Sequence, residues 1–160
     1  MEVCFHDRFR EPAQDVAFCL YRDLDELLRE SDFVTLHVNL VDETKGLIGA
    51  RELALMPASA YLINTARGQV VDQAALVEAL REGRIAGAAL DVLEQEPPPA
   101  DDPILHLPNV IVLPHIGSAT VETRRAMLDL AIDNLLAALR GETPAHVVNP
   151  QAASERRPVS

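Results

Sequence analysis

A chain of 160 residues, 48% apolar and 24% charged, can bury a core and does not have the composition of a disordered segment. Its net charge of -11 and the absence of a sizeable Lys/Arg cluster argue against a nucleic-acid partner, the Arg156-Arg157 pair near the end being too short to count as one. No apolar run approaches the roughly 20 residues that span a bilayer, and MEVCFHDRFREPA lacks the apolar stretch of a signal peptide, so the expectation is a cytoplasmic protein with no membrane partner.

In chain order, Val3, Cys4 and Phe5 predict a short strand ending at His6-Asp7. Asp23-Leu24-Asp25-Glu26 has capping-box spacing and opens a helix over 24–29. The run FVTLHV at 33–38 predicts a strand, 50–55 a short helix stopped by Pro57, and AYLIN at 60–64 another strand. Asp72 can cap a helix over 73–82, with Ala75, Leu76, Ala79 and Leu80 on its apolar side and Gly83 as its stop. Two further strands are expected at 85–90 and 110–113. A long helix follows over 120–140, carrying Leu128, Ile132, Leu135, Leu136 and Leu139 on one stripe and ending at Gly141. Residues 94–103 form a proline-rich acidic loop, and 151–160 read as a disordered, solvated tail. Cys4 and Cys19 stand in apolar surroundings, without C-x-x-C or zinc spacing, so buried reduced thiols and no metal site are expected.

Strands apolar on both faces and separated by helices imply the α/β class, a doubly wound parallel sheet covered on both sides. Ligands of such sheets bind beyond the carboxyl ends of the strands. That rule directs attention to the polar residues just after each strand: Asp7, Asn39, Asn64 to Arg67, Asp91 and His115. Three of the loop residues have complementary chemistry. Arg67 can offer a planar fork to a carboxylate, and a carboxylate such as Glu96 beside the imidazole of His115 would fix its tautomer and favour the imidazolium. Together they suggest a proton-transfer device acting on an anionic substrate.

The stretches SDFVTLHVNLVDETKGLIG, LINTARGQVVDQAALVEALREGRIAGAALDVLEQEP and NVIVLPHIGSAT resemble, in order and spacing, the D-isomer-specific 2-hydroxyacid dehydrogenase family. The resemblance runs from Val3 to Pro150 and implies a Rossmann-like fold and an NAD-dependent oxidoreductase acting on the CH-OH group of a D-2-hydroxy acid, reducing a small 2-oxo acid such as glyoxylate, hydroxypyruvate or pyruvate. It implies that Arg67 binds the substrate carboxylate and carbonyl, that Glu96 rather than Glu94 orients the histidine, and that His115 is the acid/base. Two alternatives stay open: a non-catalytic NAD-binding or regulatory relative, and a formate- or phosphite-type dehydrogenase.

For the cofactor, an acid ending the second strand of a dinucleotide fold is expected to bond the ribose hydroxyls, which suits Asp7 and disfavours a 2′-phosphate. NAD is therefore favoured over NADP, although Arg8 and Arg10 leave room for the latter. The resemblance puts Val38, Asn39 and Thr44 on the adenine side and Thr65, Ala66 and Arg67 near the nicotinamide ribose. It puts Asp91 at the carboxamide, and His115, Gly117 and Ser118 around the nicotinamide. Asn39 replaces a proline common at its position in similar sequences, and Leu93 an aromatic.

The seven glycines, at 46, 49, 68, 83, 87, 117 and 141, contain no G-x-G-x-x-G. By resemblance the chain is expected to correspond to the second half of a longer enzyme, with the first strand and the glycine loop absent. Residues 1–118 would be a partial NAD-binding domain and 119–150 a long helix and return segment toward the substrate domain. The absent strand is the central one of the order 3-2-1-4-5-6, so two strand edges and apolar sheet surface would be uncovered. The isolated chain is expected to bind NAD poorly and to be inactive unless a separate chain supplies the missing half, and a full-length enzyme is expected to be a homodimer.

Overall fold

The computed structural model describes residues 1–7, 18–149 and 151. The expectations for Arg8, Arg10, Arg156 and Arg157, and for the tail beyond its first residue, lie outside the described residues. Two units are present, Met1–His115 and Ile116–Ser160.

In the first unit, β-branched and small apolar residues build six short strands among the described residues. They are β1 (Val3–Phe5), β2 (Cys19–Tyr21), β3 (Phe33–Leu36), β4 (Tyr61–Asn64), β5 (Gly87–Leu90) and β6 (Val110–Val112). Helix α1 (Leu24–Glu30) precedes β3, α2 (Ala50–Leu55) precedes β4, and α3 (Gln73–Arg81) joins β4 to β5. All pairings are parallel, and they fall into two separate sheets: β1 with β2, and β3-β4-β5-β6 in that order. Among the described residues, β1 and β3 are each unpaired on one side.

The four-stranded sheet advances in a single direction. Crossovers between parallel strands are right-handed, so such a sheet carries its connecting helices on one face. Accordingly Val34, Leu36, Leu62, Leu90 and Ala88 pack with Leu28, Leu53, Leu76, Val77 and Leu80 of the helices in one buried cluster. The parallel α/β architecture is the expected one, and the opposite face carries the uncovered apolar sheet surface that was also expected. On the opposite face Phe33 is 63% exposed, Tyr61 44% and Ile111 64%, with the Phe33 and Tyr61 rings stacked at 5.6 Å. A helix cover for that face requires the chain to reverse its direction along the sheet.

Local rules were followed unevenly. Asp72 caps α3 by accepting from the Ala75 N–H at 3.0 Å, and Gly83 ends it at a φ of 65°. Asp23 sits at the start of α1 but makes no side-chain cap bond, so the expected capping box is not formed there. Instead Glu52 Oε2 accepts from the Gly49 N–H at 3.1 Å and closes the start of α2. Strand β2 was not anticipated, although CLY consists of residues that suit strands. Cys4 and Cys19 are free and half-buried rather than buried.

The second unit contains α4 (Val121–Leu139), capped by Thr120 Oγ1, which accepts from the Thr123 N–H at 3.1 Å. None of its residues is buried, and Leu128, Leu135 and Leu139 are exposed. No described helix is long and apolar enough to cross a membrane.

Candidate functional site

Because β3 to β6 are parallel, their carboxyl ends share one edge, and the polar residues that follow them gather along it. Asn64 ends β4 and is 1% exposed, so both ends of its amide need partners. Its Oδ1 accepts from the Ala66 N–H at 3.0 Å and its Nδ2 donates to the Arg67 carbonyl at 3.0 Å. One buried side chain thus folds the turn that presents Arg67. Sequence reading noticed Asn64 only as a strand end; an amide closing an apolar strand just before Thr-Ala-Arg-Gly was the available signal. The Arg67 guanidinium donates back to the Ala66 carbonyl at 2.6 Å. Ala66 itself is 8% exposed and belongs to the core, whereas Thr65 is exposed.

The next loop meets this turn closely. Gly68 lies against the peptide joining Leu93 and Glu94, and a methyl group there would overlap the Leu93 carbonyl and the Glu94 nitrogen. Gln69 Nε2 donates to the Glu94 carbonyl at 2.8 Å, and Gln73 Oε1 accepts from the Glu94 N–H at 3.1 Å. Gln73 Nε2 also donates to Asp102 Oδ2 at 2.9 Å. Neither glutamine was singled out from the sequence.

That loop carries Glu96. Its Oε1 accepts from the Leu93 N–H at 3.0 Å, and its Oε2 lies 2.9 Å from Nδ1 of His115. The hydrogen bond from His115, and after it that from Leu93, hold the Glu96 carboxyl below the ordinary glutamate range despite opposing desolvation. An ionised carboxylate only accepts, so His115 Nδ1 carries the hydrogen and Nε2 is left for another partner. His115 adopts a φ of 54°, a left-handed conformation uncommon outside glycine, and its backbone N–H donates to the Asp91 carbonyl at 2.9 Å. Asp91 is 5% exposed, and its own N–H donates to the Asn64 carbonyl at 2.9 Å. The ends of β4, β5 and β6 are thereby tied to one another.

Asp91, Glu96 and His115 line one cavity of about 420 Å³, together with Leu93, Pro97 and Leu113. Arg67 is not among its lining residues. A second cavity, of about 650 Å³, is lined by Asp7, Val38, Asn39 and Thr44, four residues expected at the adenosine end of a dinucleotide. His6, His37, Glu43 and Leu47, which sequence reading did not select, line it as well. Thr44 Oγ1 accepts from the Val41 N–H at 2.9 Å and donates to the Asn39 carbonyl at 2.6 Å, shaping this loop. Gly117 and Ser118 fall in the second unit. No group of His, Cys, Asp and Glu able to hold a metal ion occurs among the described residues.

The family model described as "D-isomer specific 2-hydroxyacid dehydrogenase, NAD binding domain" matches residues 1–117. Glyoxylate/hydroxypyruvate reductase B of Escherichia fergusonii is 50% identical over 154 residues, covering 96% of this chain and 48% of the relative. Glyoxylate reductase of Korarchaeum cryptofilum is 48% identical over 159 residues, covering 99% and 48% respectively. The crystal structure of D-lactate dehydrogenase with NAD+ from Lactobacillus jensenii superimposes with a TM-score of 0.82 at 35% identity, covering 92% of this chain and 48% of that one. The chain spans about half the length of the curated relatives it matches.

Proposed function

Since the chain belongs to the D-isomer specific 2-hydroxyacid dehydrogenase family, its first 117 residues matching that family's NAD-binding domain, we propose that it contributes the acid/base pair and much of the cofactor site of an NAD-dependent oxidoreductase for small 2-oxo and D-2-hydroxy acids. The observation that carries this reading is the 2.9 Å contact between Glu96 and His115 at the carboxyl edge of the sheet. The first relatives, named as reductases of glyoxylate and hydroxypyruvate, point to those two acids as the substrates to try.

The residues present suit the two ends of a dinucleotide. The cavity holding Asp7 falls within the roughly 300–1,000 Å³ of small-molecule sites and places a carboxylate where ribose hydroxyls would be bonded. Asp91 supplies an acceptor for a carboxamide in the cavity that also holds His115, and Thr65, Arg67, Gly117 and Ser118 complete the proposed set. The carboxylate at Asp7 favours NAD over NADP. When bound, NAD supplies the hydride acceptor or donor.

His115 gives a proton from Nε2 to the oxygen of the 2-oxo acid during reduction and takes it back during oxidation. Glu96 keeps the ring in the Nδ1–H form and stabilises its positive charge. Arg67 pairs with the substrate carboxylate and lowers the cost of negative charge on the reacting oxygen. Its bond to the Ala66 carbonyl would be exchanged for these contacts. Residues 1–118 act as the cofactor-binding portion and 119–150 lead toward the substrate domain. The cytoplasmic location and the homodimer of the full-length enzyme belong to the same proposal, the latter by analogy with similar enzymes.

The test follows NADH consumption with glyoxylate, hydroxypyruvate and pyruvate, on this chain and on a version extended upstream by the other half of a reductase relative. Turnover by the extended version supports the reading. Its failure with all three acids, in a folded protein, refutes it.

A further inference from the structure

The Leu93–Glu94 peptide is held on three sides by residues of the adjoining turn. Gly68 allows it to approach, Gln69 bonds the Glu94 carbonyl, and Gln73 bonds the Glu94 N–H. The same peptide leads straight to the acid/base pair, since the Leu93 N–H donates to Glu96 Oε1 and Glu96 Oε2 meets His115. Gln73 reaches the far end of the loop as well, through Asp102, whose other oxygen accepts from the Ile104 N–H at 3.0 Å. Proline-rich and acidic, the segment from Glu94 to Asp102 contains no helix or strand of its own. Its path is therefore set by such side-chain bonds and by the prolines.

We propose that Gln69 and Gln73 are positioning residues, a clamp on the Glu94 backbone that holds the Glu96 carboxylate against His115 and ties that pair to the turn bearing Arg67. This inference rests on the proposed acid/base role of the pair. It adds residues that touch neither substrate nor cofactor and act only through Glu96. The two amides are suited to the task because each presents a donor and an acceptor without charge. A carboxylate at position 73 could not donate to Asp102, and an ammonium at position 69 would draw Glu94 and Glu96 toward itself.

The test reads the neutral imidazole of His115 by nitrogen-15 NMR of the full 160-residue chain. A carboxylate on Nδ1 enriches the Nδ1–H tautomer, which an imidazole without such a partner does not favour. The parent is expected to show His115 mainly as Nδ1–H. Gln69→Ala plus Gln73→Ala should cut the Nδ1–H to Nε2–H ratio about fivefold, the effect of weakening one hydrogen bond, and each single substitution should cut it by less. Gln95→Ala, in the same loop, should leave the ratio at its parental value, as should His37 in every variant, where the ring nitrogen stays 2.9 Å from Thr35 Oγ1. If the double variant unfolds, the single variants decide the matter. A parental ratio retained in both singles overturns the clamp while the pair stands. A parent whose His115 lacks the Nδ1–H excess overturns the pair and the clamp together.

Discussion

Glu96 reaches His115 across 2.9 Å although 19 positions separate them in the chain. Their meeting depends on the parallel register of β5 and β6, which sets Leu90 opposite Val112 and brings the loop after one strand beside the end of the other. The His115 backbone, in its left-handed conformation and bonded to the Asp91 carbonyl, then turns the ring toward the loop.

The pair makes stability depend on pH in a defined direction. Glu96 is held below its ordinary range, first by the hydrogen bond from His115. A carboxyl depressed on folding contributes stability that is whole above its unfolded value, near 4.3, and is lost as pH falls through the lower folded value. Glu96→Gln should therefore lower the Tm at neutral pH. The gap from the parent should close below about pH 4. A gap that stays constant on acidification would contradict the assignment.

Gly68→Ala should be costly because the added methyl meets backbone rather than a side chain that could move aside. The expected loss is about 3 kcal/mol in urea unfolding, the upper part of the range for overpacking. It should also displace the Glu94 N–H and carbonyl, visible as shifts of their amide and carbonyl resonances. A loss within experimental error would mean the approach of the two loops is not as close as described.

The two faces of the four-stranded sheet should respond differently to truncation. Leu62 is fully buried, and Leu62→Ala should cost about 2–5 kcal/mol. Phe33 is 63% exposed and is supported mainly by its stack on Tyr61, so Phe33→Ala should cost no more than about 1.5 kcal/mol. Chemical denaturation of the two variants gives the comparison, and equal losses would show that the second face is covered.

These contrasts show how far the sequence could be read. The strands from Phe33 onward, the cap at Asp72 and the stop at Gly83 are legible because each rests on local spacing. So are the strand ends at Asn64, Asp91 and His115, since parallel order alone puts them on one edge of the four-stranded sheet. The uncovered face was legible only in outline, because Phe33, Tyr61 and Ile111 are apolar whether or not anything lies over them. Strand β2 was overlooked although its run of Cys19, Leu20 and Tyr21 is no shorter than β1. Gln69 and Gln73 could not be found by residue type, as their importance lies in which backbone groups a distant loop brings to them. Asn64 was half legible, its place being clear but not its two bonds.

In the cavity proposed for the adenosine end of the cofactor, Asp7 stands with Val38, Asn39 and Thr44. Asp7→Asn, in the version extended upstream, should weaken NAD binding about tenfold, the loss of one charge-assisted hydrogen bond. It should weaken NADP binding less, so the preference between them narrows. Calorimetric titration with each dinucleotide checks this, and unchanged NAD affinity would remove Asp7 from the site.

The central claim, that Arg67, Glu96 and His115 act together on a 2-oxo acid, is tested most directly by steady-state reduction of hydroxypyruvate and glyoxylate by NADH in the upstream-extended enzyme. His115→Ala should lower kcat by about 10²–10⁴, and Arg67→Ala should raise KM and lower kcat together. Turnover of His115→Ala equal to that of the parent would contradict the account.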